Sequence, residues 1–197
     1  MTRSACVLRL ATALWAVASL TACAPEEEDV LDPTSDENAP LAQIEERTPV
    51  YISVLNPPGS GGKKVLDVRG YSKADRAEVQ IFELRRNEYP YGSNQYWYVD
   101  WVERDVVMLR NAGSDKCLDK SRDVPNADGN KVYQYPCRNT DNQKWRVERR
   151  DSGNWVRLRN VQDGSRCLDV SGARFADEAR LHVWTCHDGW NQRFNIY

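Results

Sequence analysis

Apolar and polar residues in this chain alternate in short bursts rather than in helical stripes. Val106-Val107-Met108-Leu109-Arg110 and Trp155-Val156-Arg157-Leu158-Arg159 alternate or run apolar, and turns rich in Asn, Gly, Asp and Ser follow each. Successive side chains of a strand face opposite ways, so short bursts bounded by turn formers predict strands. Lys116-Cys117-Leu118 and Arg166-Cys167-Leu168 come next, as short strands of one register. After a polar loop, Val132 to Pro136 and Leu181 to Thr185 supply a third strand, and Trp145-Arg146-Val147 and Phe194-Asn195-Ile196 a fourth. Glycine and proline interrupt the connections, and no stretch carries the period of a long amphipathic helix. The chain is expected to be all-β.

The bursts recur in step. Asn-Gln-x-aromatic stands at Asn94 to Trp97, Asn142 to Trp145 and Asn191 to Phe194. A second mark precedes each copy: Val65-Leu66-Asp67, Cys117-Leu118-Asp119 and Cys167-Leu168-Asp169. Two independent marks recurring about every 50 residues define a repeated supersecondary unit. The units fall near 48–103, 104–151 and 152–197. The first is less regular: Val54-Leu55-Asn56 is read as its opening strand, Pro57 to Gly62 as a longer turn, and Arg85 to Ser93 as a longer loop. Three units of four strands that close on one another would leave no open sheet edge.

The N-terminal quarter is different. Arg3 and Arg9 flank an apolar run, Leu10 to Leu20, too short to span a bilayer. Such a start reads as an export signal over residues 1–22. Its exit, Leu20-Thr21-Ala22-Cys23, resembles the lipobox of bacterial lipoproteins, which implies acylation at Cys23 and anchorage at the cell envelope, in the outer membrane where the cell has one. An ordinary secretory signal is the alternative. Residues 23–46 are rich in acids, among them Glu26, Glu27, Glu28 and Asp29, and cannot bury enough apolar surface to fold. They read as a self-repelling tether. The remainder carries a mild positive excess without a clustered basic stripe, which argues against nucleic acid as a partner.

Cys6 leaves with the signal and Cys23 is the lipid site, so Cys117, Cys137, Cys167 and Cys186 remain in an oxidising compartment. The repeat selects Cys117–Cys137 and Cys167–Cys186 among the three connectivities. A zinc site built from these thiols with His182 or His187 would compete, but no Cys-x-x-Cys pair supports it. Val65 and Leu84 take the corresponding places in the first unit.

The repeated Cys-Leu-Asp, the aromatic two residues before the second cysteine and the closing Asn-Gln-x-Trp resemble the ricin-type β-trefoil lectin domain. Trp184 to Phe194 is especially similar to ricin-like carbohydrate-binding modules of secreted glycanases. The resemblance covers Thr48 to Tyr197, within a domain taken as 47–197. It departs at the missing first bridge, the longer first-unit loop and Phe194 in place of Trp. It implies a β-trefoil of three four-strand repeats with pseudo-threefold symmetry, and one shallow sugar site per unit. There an Asp accepts from sugar hydroxyls, an aromatic stacks on the ring, an Asn donates, and the Gln orients the Asp.

The third unit offers Asp169, His182, Trp184, His187, Asn191 and Gln192, with Trp190 either a second platform or packed inward. The second offers Asp119, Tyr133, Tyr135, Asn142 and Gln143; the first Asp67, Gln80, Phe82, Asn94 and Gln95. Trp97, Trp145 and Phe194 are expected in the core. No catalytic motif appears, and neither a cofactor nor a metal is expected. The leading expectation is a tethered, non-enzymatic glycan- or polysaccharide-binding protein. A toxin-associated binding subunit, with Tyr89-Pro90-Tyr91 as a contact patch, and a trefoil with decayed sites serving protein contact stay open. A toxin or enzyme partner subunit is compatible with either.

Overall fold

The structure, a computed structural model, describes residues 48–85, 93–150 and 154–197. The export segment, the acidic tether with Cys23, and Tyr89-Pro90-Tyr91 lie outside the described residues.

Twelve strands form: β1 Val50–Val54, β2 Lys64–Val68, β3 Val79–Glu83, β4 Tyr96–Glu103, β5 Val106–Asn111, β6 Lys116–Lys120, β7 Asn130–Pro136, β8 Lys144–Arg150, β9 Trp155–Asn160, β10 Arg166–Val170, β11 Ala179–Thr185 and β12 Phe194–Ile196. The first and fourth strands of each unit close a six-stranded antiparallel ring, β1–β4–β5–β8–β9–β12 and back to β1. The second and third strands make the hairpins β2–β3, β6–β7 and β10–β11. The hairpins meet at one end, where β11 pairs with both β3 and β7, and Glu78 bridges to Tyr133. A ring capped by three hairpins is the expected β-trefoil, and it leaves the ring without an edge.

The placement of one strand needs correction. The opening strand of the first unit is Val50–Val54, not Val54-Leu55-Asn56. Val54 pairs with Phe194 as Asn111 pairs with Trp97 and Asn160 with Trp145. Valine thus stands where the other units have asparagine. Asn56 instead closes the following turn, its Nδ2 donating to the Gly62 carbonyl at 2.7 Å.

The closing aromatics fill the centre. Trp97, Trp145 and Phe194 are fully buried, together with Leu66, Leu118 and Leu168 of the Leu-Asp marks. A buried indole N–H needs an acceptor, and the leucine carbonyls supply it: Trp97 Nε1 donates to Leu66 O at 3.3 Å and Trp145 Nε1 to Leu118 O at 3.1 Å. Phe194 has no such donor, so it fills the third place without a partner. Both bridges form as expected, Cys117–Cys137 and Cys167–Cys186, so these thiols are not free to ligate zinc. In the first unit Val65 is fully buried at the cysteine place. Leu84 N donates to Lys63 O at 3.2 Å, as Cys186 N does to Ser165 O at the same distance. The geometry of the bridge is kept without the bridge.

Removing a central aromatic leaves a cavity and an orphaned carbonyl. Trp145→Ala should therefore cost about 3–5 kcal/mol in urea unfolding. Val124→Ala, at an exposed position, should change it by less than about 0.5 kcal/mol. Equal effects would contradict the placement of the core.

Candidate carbohydrate site

Each Leu-Asp mark places its aspartate on the second strand, directly across from the third: Asp67 faces Gln80, Asp119 faces Tyr133 and Asp169 faces His182. All three aspartates are buried. The closing Asn-Gln pair, on the turn before the fourth strand, reaches back to them. Gln95 Nε2 donates to Asp67 Oδ2 at 3.0 Å, Gln143 Nε2 to Asp119 Oδ2 at 2.8 Å and Gln192 Nε2 to Asp169 Oδ2 at 2.8 Å. The same amide groups also donate to the carbonyls of Glu83, Pro136 and Thr185, at the ends of the third strands. Each Gln Oε1 in turn accepts a backbone N–H, from Arg85 (2.9 Å), Arg138 (2.7 Å) and His187 (2.8 Å). One side chain so ties three segments, and the expectation that Gln orients the Asp matches this geometry. The Asn residues add a further tie: Asn94 and Asn191 donate to the aspartates at 2.9 and 2.7 Å, and Asn142 donates to Lys120 O at 3.0 Å.

The remaining partners make the three units unequal. In the first, Gln80 Nε2 donates to Asp67 Oδ1 at 3.0 Å. The Arg85 guanidinium lies 4.2 Å from the Phe82 ring centroid and 3.6 Å from Asp67 Oδ2, and donates to the Tyr71 hydroxyl at 2.8 Å. The chain's own cation thus covers the face a sugar would stack on. Burial still raises the Asp67 pKa above its ordinary value, against the pull of Gln95, Gln80, Arg85 and Asn94.

In the second unit Tyr133 is buried and its hydroxyl turns to Ser121, so it stands behind the site rather than in it. Asp119 therefore lacks the third-strand donor that Asp67 and Asp169 enjoy. Burial pushes its pKa up from 3.8 to about 6, with Gln143, Asn142, Arg122 and Lys120 opposing. Tyr135 is half-buried, and Arg138 sits 5.0 Å from its ring centroid.

In the third unit His182 Nε2 lies 2.9 Å from Asp169 Oδ1, and His187 Nε2 lies 3.4 Å from Oδ2. The Gly189 N–H donates to His187 Nδ1 at 2.9 Å, which leaves Nε2 carrying the proton that faces the carboxylate. A Cβ at Gly189 would come within 2.7 Å of the His187 ring and 2.8 Å of Asn191 Oδ1, so any larger residue there would push these two side chains out of place. Trp184 is 41% exposed, with His182 stacked on it at 5.4 Å. Trp190 does not pack inward; it is exposed, and Arg193 lies between it and Trp155, 4.7 and 4.9 Å from the two rings.

The structure brings fifteen of the sixteen sequence-predicted sugar residues into three clusters built on one plan; the sixteenth, Tyr133, is buried across from Asp119 with its hydroxyl turned to Ser121. Sequence reasoning missed Arg85, Arg138 and Tyr71. The signal for the arginines was the place following the second cysteine, which His187 occupies in the third unit.

The raised Asp119 pKa has a sign that can be tested. The folded state holds this proton more tightly than the unfolded chain. Its stabilisation is therefore complete below pH 3.8 and is lost as pH rises through about 6. Asp119→Asn keeps the neutral shape at every pH. In thermal and urea unfolding it should stabilise the domain by about 2–3 kcal/mol near neutral pH and by little near pH 4. A difference that does not vary with pH would contradict this.

Comparison with known proteins fits this geometry. No curated protein matches the chain. The designed three-fold symmetric protein ThreeFoil is 28% identical, with a TM-score of 0.64, and the match covers 75% of this chain and 96% of that one. The C-terminal half of an earthworm R-type lectin, solved in complex with GalNAc, is 25% identical over 75% of this chain and 96% of that one, with a TM-score of 0.56. An exo-β-1,3-galactanase from Clostridium thermocellum, 24% identical with a TM-score of 0.65, shares the fold over 78% of this chain and 30% of its own. The family model for the ricin-type beta-trefoil lectin domain-like family matches residues 93–196. It begins at the closing turn of the first unit and spans the two bridged units. Because that match takes in more than half of the 197 residues, the chain belongs to the ricin-type β-trefoil lectin domain-like family.

Proposed function

We propose that this protein binds carbohydrate without catalysis, and that its third unit is the principal site. The observation that carries this is the pairing of Asp169, a carboxylate held by His182, Asn191 and Gln192, with an exposed Trp184 on the adjoining strand. A sugar needs directional acceptors at its hydroxyls and a flat apolar face beneath its C–H surface, and these residue types provide both. The earthworm relative was solved with GalNAc bound, which supports a galactose-type ligand.

Every unit carries a cover two residues after its third strand, and the covers differ in strength. Arg85 is held by a hydroxyl, a carboxylate and a ring. His187 is 41% exposed at its side chain and reaches Asp169 only at 3.4 Å. Of the two covers that reach an aspartate, His187 is the one an incoming hydroxyl displaces more easily, so the third unit should bind better than the first. Presentation would come from the acidic tether and a lipid at Cys23, and two working sites on one domain would add avidity for a polysaccharide. Lipidation is tested by metabolic labelling with a fatty acid, which Cys23→Ala should abolish.

The functional reading is tested by a glycan and polysaccharide screen of the protein beside Trp184→Ala. The variant should lose at least about tenfold in affinity, while its melting temperature stays within about 2 °C, since the ring is exposed. Binding that is indifferent to Trp184, or no binding to any sugar, would overturn the assignment.

A further inference from the structure

The second unit differs from the others in its charge. Arg122 stands three residues after Asp119, where the first and third units have Gly70 and Gly172 in the left-handed region, at φ 63° and 64°. Arg122 is exposed and near enough to pull on the Asp119 carboxyl. On the other side Arg138 is also exposed and rests on the Tyr135 ring. Among the described residues neither guanidinium is paired with a carboxylate at hydrogen-bond distance. The acid that could neutralise Arg122, its neighbour Asp123, is taken by Arg76 in two hydrogen bonds of 2.8 and 3.1 Å. The first unit shows the contrast, since the Arg85 guanidinium at its site is locked onto Tyr71 and Asp67.

Two uncommitted guanidinium groups therefore flank one buried carboxylate and one half-open ring. The excess charge is positive, and both cations that carry it are exposed. A guanidinium presents paired N–H donors that match both oxygens of a carboxylate. We propose that the second unit selects sugars bearing a carboxylate, with Arg122 and Arg138 holding the acid group and Asp119 a ring hydroxyl; this rests on the carbohydrate-binding reading of the domain. A neutral sugar would leave both cations facing water and gain nothing from them. The site thus discriminates by the ligand's charge where the third unit, with His182 and His187 in those surroundings, does not.

The test compares two probes, oligogalacturonate and a neutral galactose oligosaccharide of equal length, titrated calorimetrically. They are applied to the unmodified protein, to Trp184→Ala, which silences the third unit, and to Trp184→Ala carrying Arg122→Ala and Arg138→Ala. Both arginines are exposed, so unchanged melting temperatures serve as the folding control. In the Trp184→Ala protein the acidic probe should bind about tenfold or more tightly than the neutral one, weaken as salt rises, and lose that advantage when both arginines are removed. No preference in Trp184→Ala, or a preference that survives loss of both arginines, overturns this inference; the broader reading stands so long as the unmodified protein still binds either probe. Failure of the unmodified protein to bind any sugar overturns both.

Discussion

The buried hydrogen bonds of Gln95, Gln143 and Gln192 hold this molecule's function to its fold. Each side chain joins an aspartate on the second strand, a carbonyl at the end of the third and a backbone N–H just beyond it. Each also stands within two residues of the start of its closing strand, whose aromatic fills the centre. The hairpin and the ring are thereby fixed relative to each other at the point where a ligand would arrive. An aspartate in such a place is costly unless every lone pair has a donor. The three units meet that cost to different degrees, most fully at Asp67 and Asp169 and least at Asp119, whose pKa burial lifts to about 6.

Symmetry of the backbone does not carry over to symmetry of the sites. The second residue after the third strand sits over the aspartate or the ring in every unit, because the glutamine holds its N–H in the same place. Only its side chain differs: Arg85, Arg138 and His187. The anchored arginine turns the first unit into an internal cation–π pair, the loose one leaves the second unit positively charged, and the histidine leaves the third lightly covered. On the proposed reading this position, set by one shared hydrogen bond and joined by Arg122 in the second unit, is where the three units differ in what they would bind. The family match begins only at residue 93, which fits a first unit that keeps the fold while departing from the pattern of the sites.

The repeat made much of this legible before any coordinates. Bridges at Cys117–Cys137 and Cys167–Cys186, the buried trio Trp97, Trp145 and Phe194, and the clustering of Asp, Gln and aromatic all follow from positions kept in register. What failed to show has a common cause, which is that it depends on partners distant in sequence. The first strand was displaced because Leu55-Asn56 mimics the Arg-Asn ends of β5 and β9, while the pairing of Val54 with Phe194 is set by the far end of the chain. Arg85 reads as an ordinary loop cation until Tyr71 and Phe82 are seen around it, and Tyr133 reads as a ligand residue until its hydroxyl is found turned to Ser121.

The closing aromatics build the core, and the proposed ligand recognition belongs to the neighbouring aspartates and outer rings. Nitrogen-15 resonances of the tryptophan indoles report on this division directly, because Trp97 and Trp145 are buried and Trp184 is exposed. On titration with a galactose-type sugar the Trp184 indole and the amides around Asp169 and Asn191 should shift in a saturable way, with the Trp97 and Trp145 indoles unmoved. Saturable shifts at Trp97 or Trp145, with Trp184 silent, would contradict the account.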